Sequence, residues 1–251
     1  MKLGHVYINE DLEDADINYY MNYFLYEDKP LNGLKIGNFT HYDPDLYNDI
    51  FVDVAEQADH CISISDETTK IMNELGIDDN KISTVIIGAD KSFKPVLTLG
   101  IVGTIKASGR KGEHLVRQIL DDDDLMVDMQ IVTLNDCWDL PVWNIDHQDF
   151  YRAIDYLLVP STIEGGPVPF MEALACGTLS IAPPIGVIPQ FPHKEYETGN
   201  ISSLKEVISR VKKDNLRDKQ QNSRYIKDYN WDTWSENHDK IFKKLLFDMD
   251  G

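Results

Sequence analysis

YLLVPSTIEGGPVPFMEALACGTLSIA, residues 156–182, reads as a strand, a helix and a second strand joined by tight loops. Tyr156–Val159 is an apolar run that stops at Pro160, and a loop containing Gly165 and Gly166 follows. Pro167 then suits a first helical position, because its ring fixes φ and its missing N–H is not needed there. Phe170, Met171, Leu174 and Ala175 recur at helical spacing, Gly177 ends the helix, and Leu179–Ala182 is the next strand. Strands joined through a helix run parallel. A glycine loop that opens a helix after such a strand offers backbone N–H groups and the positive end of the helix dipole to a phosphate. A plain strand-to-helix turn can carry the same two glycines. It does not account for Glu164 in the loop and Glu172 on the helix, two carboxylates suited to accept hydrogen bonds from sugar hydroxyls.

The same alternation extends in both directions. Further strands are expected at Lys2–Tyr7, Lys35–Thr40, His60–Ile64, Ile82–Ile87, Thr98–Val102 and Met129–Thr133. Helices are expected where Leu46, Ile50 and Val54 mark one face, from a Ser65/Asp66 cap to Gly76, along Leu115, Val116, Ile119 and Leu120, and along Leu204, Val207, Ile208 and Val211. This is an α/β chain of Rossmann type. GADKSFKPV, residues 88–96, breaks the pattern with Gly, Asp and Pro, which places a linker near residue 95 and makes two lobes. Asp121–Asp124 follows a helix with no turn chemistry to wrap a cation, and reads as a solvated loop.

LGIVGTIKASGRKGEHLVRQIL, residues 99–120, is a second strand, Gly-containing loop and helix, and its loop holds Lys106, Arg110 and Lys111. Elsewhere the chain is acidic: 43 Asp and Glu against 24 Lys and Arg give a formal net charge of −19 over 251 residues. Residues 1–95 carry 19 acids and 7 bases, and none of the bases is arginine. Such a balance disfavours nucleic acid and anionic membrane surfaces, both of which require clustered cations. The basic loop is therefore a local inversion of the field, and a diphosphate needs one. Two strand-loop-helix units of one lobe would present both anion-suited openings at the same carboxyl edge of the sheet. Cys61, Cys137 and Cys176 are odd in number and lack metal or disulfide spacing, which suggests a reducing compartment. With no apolar leader or run of membrane length, a soluble cytoplasmic protein is expected.

These segments resemble the retaining glycosyltransferases of family 4. Their motif PSxxEGxPxxxxEAxAxG is met by Pro160, Ser161, Glu164, Gly165, Pro167, Glu172, Ala173, Ala175 and Gly177. ADHCISIS and IIGADKSFKP resemble the family's strand and linker before the interdomain crossing, and YNWDTWSENHDKIFKKLL resembles its returning C-terminal helix. The resemblance implies the GT-B fold, two Rossmann-like domains facing across a cleft. The acceptor-side domain, residues 1–95, would be reduced, because about forty residues precede the matching histidine and no glycine-rich loop stands among them. Residues 96–230 would bind the nucleotide-sugar donor, and 231–251 would form the helix returning toward the first domain.

The implied activity is retaining transfer of a sugar, of hexosyltransferase type, from a UDP or GDP sugar to an acceptor hydroxyl, with no metal or other cofactor. By resemblance, Glu172 takes the ribose hydroxyls and Glu164 lies near the donor sugar. Lys111 contacts the diphosphate together with Gly165, Gly166 and the helix start at Pro167. Gly103 and Thr104 follow the first strand, and Thr104 stands where the family usually has Arg, so that Arg110 or Lys106 supplies the charge. His41, in KIGNFTHYDPD, matches the family's histidine over the donor sugar, with Asp43 close enough to orient it or an acceptor hydroxyl. A glycan, sugar or protein is the expected acceptor. Two other readings stay open: an inactive nucleotide-sugar-binding subunit that pairs with another chain or a second copy to complete the acceptor side, or a nucleotide-sugar epimerase of the same fold.

Overall fold

The computed structural model describes residues 15–26, 32–105, 108–134 and 136–249. Two compact units result, one running to Phe93 and resuming at Ile226, the other Lys94–Tyr225. Each is built on a parallel sheet with helices packed on it, so the α/β Rossmann-like class holds for both.

In the first unit β1 (Ile17–Tyr20), β2 (Leu34–Phe39), α1 (Asn48–Gln57), β3 (His60–Ser63), α2 (Asp66–Glu74) and β4 (Ile82–Thr84) follow one another. The strands lie in the order β1-β2-β3-β4, all parallel. Alternate side chains go to opposite faces, as the strand period of two requires. Phe39 and Cys61 pack with Phe51, Val54 and Ala55 of α1 and Met72 of α2, whereas Ile36 and Ile62 belong to the other face.

The second unit runs through β5 (Leu97–Ile101), α3 (Glu113–Leu120), α4 (Asp123–Met126), β6 (Met129–Thr133) and α5 (His147–Ala153). It continues with β7 (Tyr156–Leu158), α6 (Val168–Ala175), β8 (Ser180–Ala182), β9 (Lys194–Glu195) and α7 (Ile201–Arg224). The parallel order is β6-β5-β7-β8-β9. Leu97, Leu99 and Ile101 of β5 meet Leu115, Val116 and Ile119 of α3 and Leu204, Val207 and Ile208 of α7. On the opposite face Val132, Leu157 and Ala182 meet Phe150 and Ile154 at α5 and Phe170 and Ala173 of α6. A Cβ on Gly100 would fall 2.5 Å from Ile154 Cδ1, so this glycine sets how closely α5 approaches the strand. The chain leaves β5 through α3 toward one side of the sheet and leaves β7 through α6 toward the other. The two exit loops diverge, and that reversal opens a crevice at the carboxyl ends of β5 and β7.

The last helix, α8 (Trp231–Met249), belongs to the first unit and covers its open face, with Trp234, Ile241, Phe242 and Leu245 on Ile36, Ile62 and Val85. Tyr19 of β1 is also held there, its hydroxyl 3.0 Å from His238 Nε2.

Several expectations are corrected. The expected strand Lys2–Tyr7 lies outside the described residues, and β1 was not expected, since INYY is a half-buried edge strand without an apolar run. Leu46 precedes α1 and Ile50 faces solvent, because the buried stripe is Phe51, Val54 and Ala55. Pro167 caps α6 from outside its first turn. Asp122 is no solvated loop residue: it caps α4 by accepting from Leu125 N at 3.0 Å and pairs with Lys205 Nζ at 2.6 Å. Among the described residues no helix is long and apolar enough to cross a membrane.

Candidate active site

A cavity of about 210 Å³ occupies the crevice between β5 and β7. Gly103, Thr104, Arg110 and Lys111 line it from the loop after β5, and Ser161, Glu164 and Pro167 from the loop after β7. Glu164 is the centre of its electrostatics. Its Oε1 accepts hydrogen bonds from Lys111 Nζ and, at 3.0 Å, from Ser161 Oγ, with Arg110 Nη1 at 3.4 Å. The carboxylate is only 11% exposed. Burial by itself would raise its pKa, but the hydrogen bonds from Lys111 and Ser161 and the charges of Lys111 and Arg110 outweigh burial and hold it below the usual glutamate value. Two cations on one carboxylate leave net positive charge facing the cavity, which suits an anion.

Contacts between neighbouring loops keep this arrangement in place. Gly112 caps α3 with φ +78°, and a Cβ there would lie 2.0 Å from the carbonyl oxygen of Pro160. Thr162 N also donates to Arg110 O at 2.9 Å, so the two loops are pinned together. Gly186, φ +54°, gives a second close approach, where a Cβ would lie 2.2 Å from Gly165 O. Val187 N donates to that same oxygen at 3.0 Å. Trp138 Nε1 donates to Gly103 O at 2.6 Å, which uses the only donor of the indole and leaves its ring to line the cavity. Gly165 and Gly166 contrast with these supports. A Cβ on Gly165 would meet nothing within 4 Å, and on Gly166 only Val187 Cγ2 at 3.9 Å.

The start of α6 offers fewer backbone N–H groups than its glycines suggest. Pro167 and Pro169 carry no N–H, and Phe170 N donates to Pro167 O at 3.0 Å, which leaves Val168 as the free amide position of that turn. Farther along α6, Glu172 is exposed and is not part of the cavity lining. Its Oε2 accepts from the hydroxyl of Tyr151 at 2.6 Å.

Gly103, Thr104, Arg110, Lys111, Glu164 and Pro167 thus come together, Gly165 and Gly166 adjoin them, and Glu172 stands apart on the helix. Lys106 lies outside the described residues. His41 belongs to the first unit, just past β2, with Nδ1 3.0 Å from Thr40 Oγ1 and its ring tilted against Tyr23 and Phe24. Asp43 follows two residues on, and its Oδ1 accepts from Asp45 N at 3.0 Å. Sequence reasoning missed the parts played by Ser161, Trp138, Gly112, Gly186 and Tyr151. Ser161 stood in the motif and Gly112 in R-K-G, but nothing local pointed to the other three. Among the described residues no group of three or more His, Cys, Asp or Glu is placed to hold a metal ion.

No protein-family model matches the chain, and no curated protein matches it. Solved structures do match. Sucrose-phosphate synthase from Thermosynechococcus elongatus is 16% identical, covering 86% of this chain and 68% of that one at a TM-score of 0.40. Alr3699/HepE from Anabaena, in complex with UDP-glucose, is 14% identical, covering 80% and 70% at 0.38. The catalytic domain of starch synthase IV from Arabidopsis thaliana, bound to ADP and acarbose, is 12% identical, covering 92% and 73% at 0.40.

Proposed function

We infer that the chain is a glycosyltransferase that moves a sugar from a nucleoside-diphosphate sugar to an acceptor hydroxyl with retention of configuration and without a metal. The observation that carries this is Glu164 at the β5/β7 crevice, held by Lys111, Ser161 and Arg110 inside a motif that resembles that of family 4. In this reading the diphosphate draws Lys111 and Arg110 onto its oxygens, and Glu164, released from them, accepts a hydroxyl of the donor sugar. The same cations offset the charge that develops on the leaving phosphate, an electrostatic contribution made before the bond breaks. Glu172 takes the ribose, His41 serves at the donor sugar, and the acceptor is a sugar, glycan or protein.

The test is a panel of UDP-, GDP- and ADP-sugars incubated with the pure protein in EDTA. Release of nucleoside diphosphate with one donor, abolished by Glu164→Ala, is the expected result. Release that requires added Mn²⁺ would contradict the metal-free reading. A second reading, an inactive nucleotide-sugar-binding subunit, is favoured by Thr104, which lines the cavity where the resembling family carries Arg. Nucleotide binding without release from any donor would support that reading instead.

A further inference from the structure

Tyr151 is fully buried between α5 and α6, yet its hydroxyl reaches the exposed carboxylate of Glu172. Burial, then the hydrogen bond to Glu172 and its charge, push the phenol pKa well above its ordinary value, so the hydroxyl remains a donor. The backbone of Tyr151 is fixed as well. Its carbonyl accepts from the buried hydroxyl of Thr178 at 2.6 Å, and Thr178 N donates to Ala173 O at 2.9 Å, which ties α5 to the turn that ends α6. An exposed glutamate on a helix ordinarily samples several rotamers, and ordering it costs free energy on binding. Here one oxygen is anchored by a rigid donor. The other oxygen and the remaining lone pair of the first stay open.

We propose that Tyr151 is the positioning residue through which Glu172 recognises the vicinal 2′- and 3′-hydroxyls of a ribonucleoside diphosphate. The phenol sets the plane of the carboxylate before the ligand arrives, so that two adjacent hydroxyls meet two oxygens already oriented. This rests on the reading of Glu172 as the ribose-binding carboxylate, and the experiment separates the two claims.

Calorimetric binding of UDP, GDP and ADP, each beside its 2′,3′-dideoxy counterpart, is compared for the wild type, Tyr151→Phe, Glu172→Ala and Glu172→Asp. The expected result is that Tyr151→Phe weakens the preferred ribonucleotide about tenfold, the scale of ordering one glutamate side chain, and leaves the dideoxy affinity unchanged. Tyr151→Phe should cost nothing further in the Glu172→Ala background. Because Tyr151 is buried, Glu172→Asp gives an independent route: it withdraws the carboxylate from the phenol at an exposed position, and should lose the same discrimination. Equal weakening of ribo and dideoxy ligands by Tyr151→Phe would mean packing alone and would overturn the proposal. So would full discrimination retained by Tyr151→Phe or Glu172→Asp while Glu172→Ala abolishes it. A wild type that binds both sugars equally, or neither, would instead overturn the reading of Glu172 and this inference with it.

Discussion

The two sheets have the same chemistry but different orders, and the order decides which of them opens a site. In the first unit the sequence of strands never reverses among the described residues, and the carboxyl ends of β3 and β4 are closed by the protein's own hydroxyls. Ser63 and Thr84 bond to Thr69, the latter pair at 2.7 Å, and Ser65 caps α2 while bonding Thr68 at 2.9 Å. In the second unit the order reverses between β5 and β7, the exit loops diverge to opposite faces, and a cavity with Glu164, Lys111 and Arg110 takes the place of a hydroxyl network. Parallel strands therefore do not suffice for a ligand site. A reversal that sends the following helices to opposite faces opens a crevice between the two strand-end loops, even where those loops bond to each other.

That contrast is most exposed to failure at its glycines. Gly76 ends α2 with φ +90° and no atom within 4 Å of a Cβ, whereas Gly112 has φ +78° and Pro160 O at 2.0 Å. Gly76→Ala should cost only backbone strain, about 1 kcal/mol, while Gly112→Ala adds a clash with the neighbouring loop and should cost about 3 kcal/mol or more. Urea unfolding of both variants decides the matter, and equal losses would mean that the two loops are not pinned together. Next in size is the effect of charge. Lys111→Met should weaken nucleoside-diphosphate binding by about 2 kcal/mol, the scale of a hydrogen bond to a charged group. Lys81→Met, which removes a bond to Glu56 O and a charge near His60 in the first unit, should leave it unchanged. Similar losses from both lysines would point to a diffuse field effect.

The sequence made some of this legible and hid the rest for a physical reason. Residues 156–182 could be read because β7 and β8 are short apolar runs buried on both faces and Gly and Pro punctuate the helix between them. Glu164, Arg110 and Lys111 stood out as carboxylate and cations in glycine loops. That they bind one another did not, because the two loops are far apart in the sequence and only the pairing of β5 with β7 brings them together. Trp138 and Gly186 were hidden for the same reason, each contributing through a contact with a distant loop. In α5, HQDFYRA is too short to show a helical period, so the reach of Tyr151 to Glu172 had no local signal.

Acid should distinguish the units too. His60 in β3 lies 2.9 Å from Ser83 Oγ, and burial, then Lys244 and Lys81, push its pKa from 6.5 down to about 4. Between those values the unfolded chain holds the proton and the folded chain does not. The stability from this residue is therefore whole above 6.5 and lost as pH falls, about 1 kcal/mol by one unit lower. Glu164 behaves differently: its pKa lies below the ordinary 4.5, so its contribution is intact until pH falls past that value. Amide exchange should show β3 losing protection between pH 6.5 and 4.5 while β5 keeps it, and His60→Gln should flatten the first loss. Simultaneous loss in both strands, unaltered by that substitution, would break the distinction.

The smallest effect has opposite signs for stability and binding. Gly165 needs neither a left-handed backbone nor close approach, since no atom comes within 4 Å of its Cβ position. Replacing such a glycine with alanine removes freedom from the unfolded chain and should stabilise the fold by about 0.5 kcal/mol. The open space beside it is reserved for something else if the crevice takes a diphosphate, because a methyl group there would stand where phosphate oxygens approach the loop amides. Gly165→Ala should therefore raise the melting temperature slightly and still weaken nucleoside-diphosphate binding several-fold. Gly177→Ala, at the end of α6 with φ +84° and equally open space, should do the reverse, costing stability through strain while sparing affinity. A protein in which Gly165→Ala left affinity untouched would have its anion site elsewhere on the edge, with only Lys111 and Arg110 to hold it.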